Sequence, residues 1–137
     1  MTTVAATVDA LADLDREGYG SRSLSRGQWD RLLSRSDVVV IVGGGIERPE
    51  SVAVVRPTSG SECELLRLVV RPVARRRGVG RSLVETLGSA RSLEVTLRED
   101  SLDALLFARA VGFKAIGLDR GRWDCDGIRM RRERDGE

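Results

Sequence analysis

Histidine is absent from the 137 residues, and lysine and tyrosine occur once each, at Lys114 and Tyr19. Without histidine the chain lacks the usual nucleophile–histidine pairs, the usual zinc sites and the commonest proton carrier near neutral pH. Two cysteines, Cys63 and Cys125, lie far apart and outside any metal-like spacing. That argues against a disulfide framework and fits a reducing, cytoplasmic compartment. No apolar run approaches the roughly 20 residues of a membrane span, so no membrane partner is expected. The opening MTTVAATVDALADLDREG has acids early and no basic segment leading into an apolar one. It does not read as a signal peptide. Charge of one sign is also lacking. Twenty-three basic against 21 acidic residues leave a net +2, too little for a general nucleic-acid footprint.

What is present suits a globular chain, with 41% hydrophobic residues, enough for one buried core in one domain spanning residues 1–137. Val4, Val8, Leu11 and Leu14 predict a first helix over Thr7 to Glu17, ended by Gly18 and Gly20. Ser25 to Gln28 reads as a capping box before a second helix carrying Trp29, Leu32 and Leu33. VVVIV (Val38 to Val42) is a strand stopped by Gly43, Gly44 and Gly45, and SVAVVR (Ser51 to Arg56) is the next. In ECELLRLVV, Cys63 and Leu65 follow one alternation phase, while Leu66, Leu68 and Val70 follow the other. Such a slip fits either a β-bulge or a strand buried on both faces. Val79, Leu83 and Leu87 predict a helix starting at or just after Gly78. LEVTL (Leu93 to Leu97) is a strand, and Asp100 or Ser101 caps a helix ending at Gly112. FKAIGL and GIRMRR are two final strands around the loop DRGRWDCD, and residues 133–137 form a frayed tail. The order predicts an α/β fold in which a mixed sheet is flanked by helices.

One stretch stands apart. RPVARRRGVGRSL sets Arg71, Arg75, Arg76, Arg77 and Arg81 around Gly78 and Gly80, between a strand and a helix. The first turn of that helix presents backbone N–H groups without helical partners, and its dipole end is positive. Such a turn suits phosphate, and the glycines remove β-carbons that would hold a diphosphate off the backbone. A basic solvated loop with glycines for turn geometry fits the same residues. The stretch lacks the G-K-[ST] of a P-loop and the third glycine of a dinucleotide fold.

With its flanks, LLRLVVRPVARRRGVGRSLVETL resembles the acetyl-CoA signature of the GNAT superfamily of N-acetyltransferases. The family pattern [QR]-x-x-G-x-[GA] falls on Arg75, Arg76, Arg77, Gly78, Val79 and Gly80. SLDALLFARAVGF resembles the second family motif, with Ser101, Ala104, Phe107, Gly112 and Phe113 at its positions. The resemblance covers roughly residues 7 to 132. Within the superfamily, YGSRSLSRGQW, LEVTLREDS and an aromatic-bearing loop before the last strand are similar to ribosomal-protein alanine N-acetyltransferases.

The resemblance implies a GNAT fold of about six to seven strands and four helices, and direct acetyl transfer from acetyl-CoA to an amine with no metal. It implies that the backbone of Leu68, Val69 and Val70 pairs with the pantetheine arm. Arg75, Arg76, Arg77, Gly78, Val79, Gly80 and Arg81 would hold the pyrophosphate, and Ser101 would contact the arm. One of the strand N–H groups would polarise the thioester carbonyl. The family's usual tyrosine falls on Ala108, and the base of the closer relatives falls on Thr96. Glu94, two residues earlier on the same strand face, is either a base acting through water or a solvated strand residue. Tyr19 and Trp123 are the candidate walls of the acceptor site, while Trp29 reads as core. Asp119, Asp124 and Asp126 either attract a cationic acceptor or serve the loop. Cys125 is expected as an exposed loop thiol.

Three functions therefore compete: transfer to a peptide or protein N-terminal amine, transfer to a small amine, and acyl-CoA or protein binding with little turnover. The expected protein is a monomer or homodimer.

Overall fold

The computed structural model describes residues 4–44, 48–60, 62–72, 78–86 and 92–133. Its elements follow the predicted order. They are α1 (Val4–Tyr19), a 3₁₀ turn (Gly20–Arg22), α2 (Arg26–Leu33), β1 (Val39–Gly44), β2 (Pro49–Pro57), β3 (Glu62–Val70), α3 (Val79–Thr86), β4 (Ser92–Arg98), α4 (Leu102–Ala110), β5 (Lys114–Asp119) and β6 (Gly127–Glu133). α1 is longer at both ends than its apolar spacing suggested: it takes in Val4, Ala5 and Ala6 at its start, continues past Gly18, and gives way to the 3₁₀ turn at Gly20. β1 runs through Gly43 instead of stopping there. Ser51 on β2 stands where a β-carbon on Gly43 would lie, so a strand glycine is what fits that contact. The capping box forms, with Gln28 N–H donating to Ser25 Oγ and Ser25 N–H donating to Gln28 Oε1. Among the described residues, no helix is long and apolar enough to cross a membrane.

The strands form one mixed sheet in the order β1-β2-β3-β4-β6-β5, with β3 and β4 the parallel pair. α3 provides the crossover that a parallel pair requires. One face carries Val52, Val54 and Val69 against Val8, Leu11, Leu14 and Trp29 of α1 and α2. The other carries Ala53, Val55, Leu65, Val95 and Met130 against Val84 of α3 and Ala108 of α4.

The phase slip in β3 is a bulge. Leu65 is paired with Val55 and Arg67 with Val54, leaving Leu66 without its own partner on β2. Leu65 and Leu68 consequently share the α3/α4 core, while Leu66 packs toward α1 and α2. Arg67 reaches α1 as well, because the extra residue turns its side chain to that face.

Arg67 ends on Asp15, a fully buried carboxylate of α1. Asp15 lies on the apolar stripe four residues after Leu11, a position where a charge is costly unless every lone pair is used. Arg67 donates to it through Nη2 (2.6 Å) and Nε (3.2 Å), Trp29 through Nε1 (2.9 Å) and Leu24 through its backbone N–H (3.2 Å). One carboxylate thus joins α1, α2, the turn between them and the bulged strand. Removing one partner of a buried pair strands the other and costs about 3–5 kcal/mol. Asp15→Ala is expected to lose stability on that scale in urea unfolding, and Asp15→Asn less, because its amide oxygen still accepts from Trp29. A loss below about 1 kcal/mol for Asp15→Ala would show that the hub is dispensable.

Candidate functional site

β3 and β4 are in register from Glu62 opposite Ser92 to Leu65 opposite Val95, and there the pairing ends although both strands continue. Beyond that point β3 stays with β2 as far as Val70, and β4 stays with β6 as far as Arg98. The two parallel strands part at the bulge, opening a V between Leu66–Val70 and Thr96–Arg98. A V of this kind exposes a strand edge to which an extended, amide-bearing ligand can add as another strand. Into it reaches Tyr19, whose phenol donates to the Leu68 carbonyl at 2.8 Å.

α3 begins just past this edge. Gly78 has φ +77, a conformation that favours glycine, and its carbonyl accepts the first helical bond from Ser82 N–H at 2.9 Å. Among the described residues beyond its chain neighbours, no atom lies within 4 Å of where a β-carbon would stand on Gly78, so there the glycine answers to backbone conformation. Val79 and Gly80 form the first turn of α3. Arg75, Arg76 and Arg77 lie outside the described residues. Arg81 donates through Nη2 to the Ala110 carbonyl at the end of α4 (3.0 Å), tying the two helices. Arg71 belongs to the framework: it is buried, donates to the Pro49 carbonyl (2.8 Å) and pairs with Glu17 of α1. Ser101 precedes α4, its N–H donating to the Arg98 carbonyl (3.1 Å), and its side chain makes no capping bond. Ala108 is buried in the α3/α4 core and carries no proton to give.

Glu94 stands opposite Glu64 and Arg131, one residue before the strands part. Its carboxylate accepts from both Nε (3.1 Å) and Nη2 of Arg131. It lines a cavity of about 310 Å³ with Arg56, Thr58, Glu62 and Ser92, at the paired end of β3 and β4 and not in the V. Thr96 does lie in the V, but its methyl carbon is 2.7 Å from where a β-carbon on Gly127 would be. That same position is 3.3 Å from the Trp123 ring and from Cδ of Arg122, so a residue without a β-carbon is what fits there.

Trp123 is part-exposed on the β5–β6 loop and lies between two guanidinium groups, Arg122 at 5.2 Å and Arg98 at 5.6 Å from its ring centre. Arg98 also pairs with Asp100 (3.0 Å) and Asp124 (2.6 Å), and its hydrogen bonds hold both carboxyls below the usual range. Asp100 in turn meets Arg22 at 3.3 Å. A line of charges therefore runs from the α1–α2 turn across the mouth of the V to the β5–β6 loop. Asp119 pairs with Arg122, and Asp126 accepts from Gly121 N–H. The three loop aspartates are thus engaged in holding the loop. Cys125 is half-buried in it, less exposed than expected, because the loop folds over its own backbone with Trp123 N–H bonded to the Cys125 carbonyl.

Sequence reasoning found the strand and the glycine turn and singled out Tyr19 and Trp123, but missed Asp15, Arg67, Arg98 and Asp100. Asp15 left one signal, an acid inside an apolar helical stripe. The other three left none: Arg98 and Asp100 are only two residues apart, but their contacts to Asp124 and Arg22, like that of Arg67 to Asp15, join residues 26 to 78 positions apart in the chain.

Residues 50–113, just under half of the chain, match the acetyltransferase (GNAT) domain family described as PanZ. No curated protein matches the chain in sequence. Among solved structures, the ribosomal-protein-S18-alanine N-acetyltransferase from Escherichia coli is similar with TM-score 0.77 and 17% identity, over 95% of this chain and 89% of that one. An aminoglycoside 6'-N-acetyltransferase complexed with coenzyme A is similar with TM-score 0.76 and 17% identity, over 95% and 92%. GphF, a GNAT-like decarboxylase in complex with isobutyryl-CoA, is similar with TM-score 0.79 and 15% identity, over 96% of each chain. The chain therefore has the fold of the GNAT N-acetyltransferases, and its central segment carries the sequence of a GNAT domain as well.

Proposed function

We propose that the protein is an acetyl-CoA-dependent N-acetyltransferase that passes the acetyl group directly to an amine, with a peptide or protein N-terminal amine as acceptor. The observation that carries this reading is the V between β3 and β4, opened by the bulge at Leu66 and followed at once by the glycine turn into α3. Leu68, Val69 and Val70 would pair with the pantetheine amides. Gly78, Val79, Gly80 and Arg81, with Arg75, Arg76 and Arg77, would receive the pyrophosphate. Ser101 would contact the arm from the start of α4. A β3 N–H would stabilise the oxyanion as the amine attacks. Tyr19 and Trp123 would wall the acceptor side, and Thr96 would line it beside Trp123. Glu94 would serve as base through water, for which Arg131 must yield. We place the protein in the cytoplasm, as a monomer or homodimer.

A second reading, binding of acyl-CoA or a protein partner with little turnover, is favoured by the buried Ala108 and by the engagement of Glu94 with Arg131. The likeness to an aminoglycoside acetyltransferase gives a small amine as the alternative acceptor.

Calorimetric titration with acetyl-CoA separates binding from chemistry. Wild type is expected to bind in the micromolar range, Gly78→Glu to lose binding, and Gly78→Ala to keep most of it, since alanine brings the same backbone strain without bulk or charge. Equal affinities in all three proteins would remove the glycine turn from the binding site. Turnover is read as CoA release with N-terminal peptides and small amines. Glu94→Gln is expected to slow the preferred reaction by about 10²–10⁴-fold if the carboxylate acts as base. An unchanged rate would take Glu94 out of the mechanism.

A further inference from the structure

The lone phenol of the chain is held more firmly than a wall residue needs to be. Tyr19 ends α1 and is part-exposed, yet its ring lies under the Arg67 guanidinium at 4.4 Å, and its hydroxyl donates to the Leu68 carbonyl at 2.8 Å. Arg67 is itself fixed by two bonds to the buried Asp15 and one to the Arg22 carbonyl at 3.3 Å. The ring is therefore positioned by a chain of contacts that begins in the core. Its hydroxyl sits on the backbone of the strand edge inside the V, directly after the bulge. An arm paired with Leu68–Val70 would end its thioester beside this carbonyl.

Ala108 is apolar, Thr96 turns its methyl group toward Gly127, and Glu94 lies outside the V on Arg131. Ser101, at the start of α4, offers an alcohol, a far weaker acid than a phenol. A proton at sulfur assists acyl transfer to an amine, although a thiol of pKa about 8.5 can also leave unprotonated. As the amine nitrogen bonds to the acyl carbon, the C–S bond breaks and its electron pair leaves on sulfur as a thiolate.

We infer that Tyr19 is the general acid of this reaction. Resting on the transferase reading above, the inference assigns it the proton that converts the departing thiolate to CoA–SH. The phenol turns from the Leu68 carbonyl to the sulfur and gives up its proton. The phenolate then recovers the one proton that the attacking amine sheds as its cationic nitrogen becomes the neutral amide, passed on directly, through water, or by way of Glu94 where that carboxylate takes it first. Tyrosine is restored, and the products are amide and thiol. Arg67 lies over the ring, Asp15 stands behind Arg67, and the Arg22–Asp100 pair lies beyond. The phenolate thus forms next to a guanidinium already fixed in place, which costs no reorganisation during the step.

Because the chain contains one tyrosine, biosynthetic replacement with 3,5-difluorotyrosine alters this phenol alone. A more acidic phenol at Tyr19 is expected to move the alkaline limb of the kcat–pH profile to lower pH. Tyr19→Phe keeps the ring beneath Arg67, and is expected to bind acetyl-CoA as wild type does while kcat falls about 10²–10⁴-fold. An active wild type whose profile is unmoved by fluorination, or whose kcat survives Tyr19→Phe, overturns the assignment to Tyr19 and leaves the transferase reading intact. A wild type that binds acetyl-CoA but acetylates no peptide or small amine overturns both.

Discussion

The buried carboxylate of Asp15 is the constraint on which the functional half of the fold depends. A fully buried charge is tolerated when its lone pairs are filled, and here they are filled from α1's neighbours on three sides. Trp29 fixes α2 against α1, Leu24 fixes the turn between them, and Arg67 fixes the bulged strand. The same contact that satisfies Asp15 therefore decides where Arg67 stands. Arg67 decides where the Tyr19 ring lies, and the ring brings a hydroxyl to the open edge of β3. A substitution in the core of α1 would thus be felt in the V, some distance along the sheet, without touching it.

The opening of the V has a separate cause. β3 pairs with β2 along its length but with β4 over four residues, because the bulge at Leu66 lets the strand turn away once Leu65 is passed. Every strand edge that leaves its neighbour has backbone groups to satisfy. At Leu68 the structure answers with a phenol, and an amide-bearing ligand would answer in the same geometry. The mouth is framed by arginine–aspartate pairs that are mostly exposed, between 18% and 81% by side chain. Exposed pairs of this kind contribute little to stability. Their value is in setting the distance between the α1–α2 turn and the β5–β6 loop. Arg22, Arg98 and Arg122 there each have an aspartate partner.

Much of the architecture was legible along the chain. Apolar spacing gave the helices, alternation gave the strands, and the slip of phase after Leu65 left a bulge as one of two readings, with the structure placing Leu66 and Arg67 together on the face of α1 and α2. Gly78 was legible as a turn glycine where a strand hands over to a helix, and the structure gives it a φ of +77. The charged framework was not legible, since Arg67, Arg98 and Asp100 look like any solvated residues of an arginine-rich chain. Arg71 shows the same limit from the other side. Within the basic stretch it resembled its neighbours, yet it is buried against Pro49 and paired with Glu17.

Local patterns set what each segment can bury, and burial patterns are written in consecutive residues. By itself the sequence therefore determined the element order, the mixed sheet and the glycine turn, left the bulge as one of two readings of β3, and pointed through its motifs to the family. It also determined that any proton chemistry must proceed without histidine. Tertiary structure decided which of many similar arginines are framework, that Glu94 faces Arg131 and that Ala108 is sealed in the core. It also decided that the one tyrosine reaches Leu68, 49 residues away. Such long-range partners follow from how the strands and helices are stacked. A charged side chain carries no mark in the sequence of the partner it will meet.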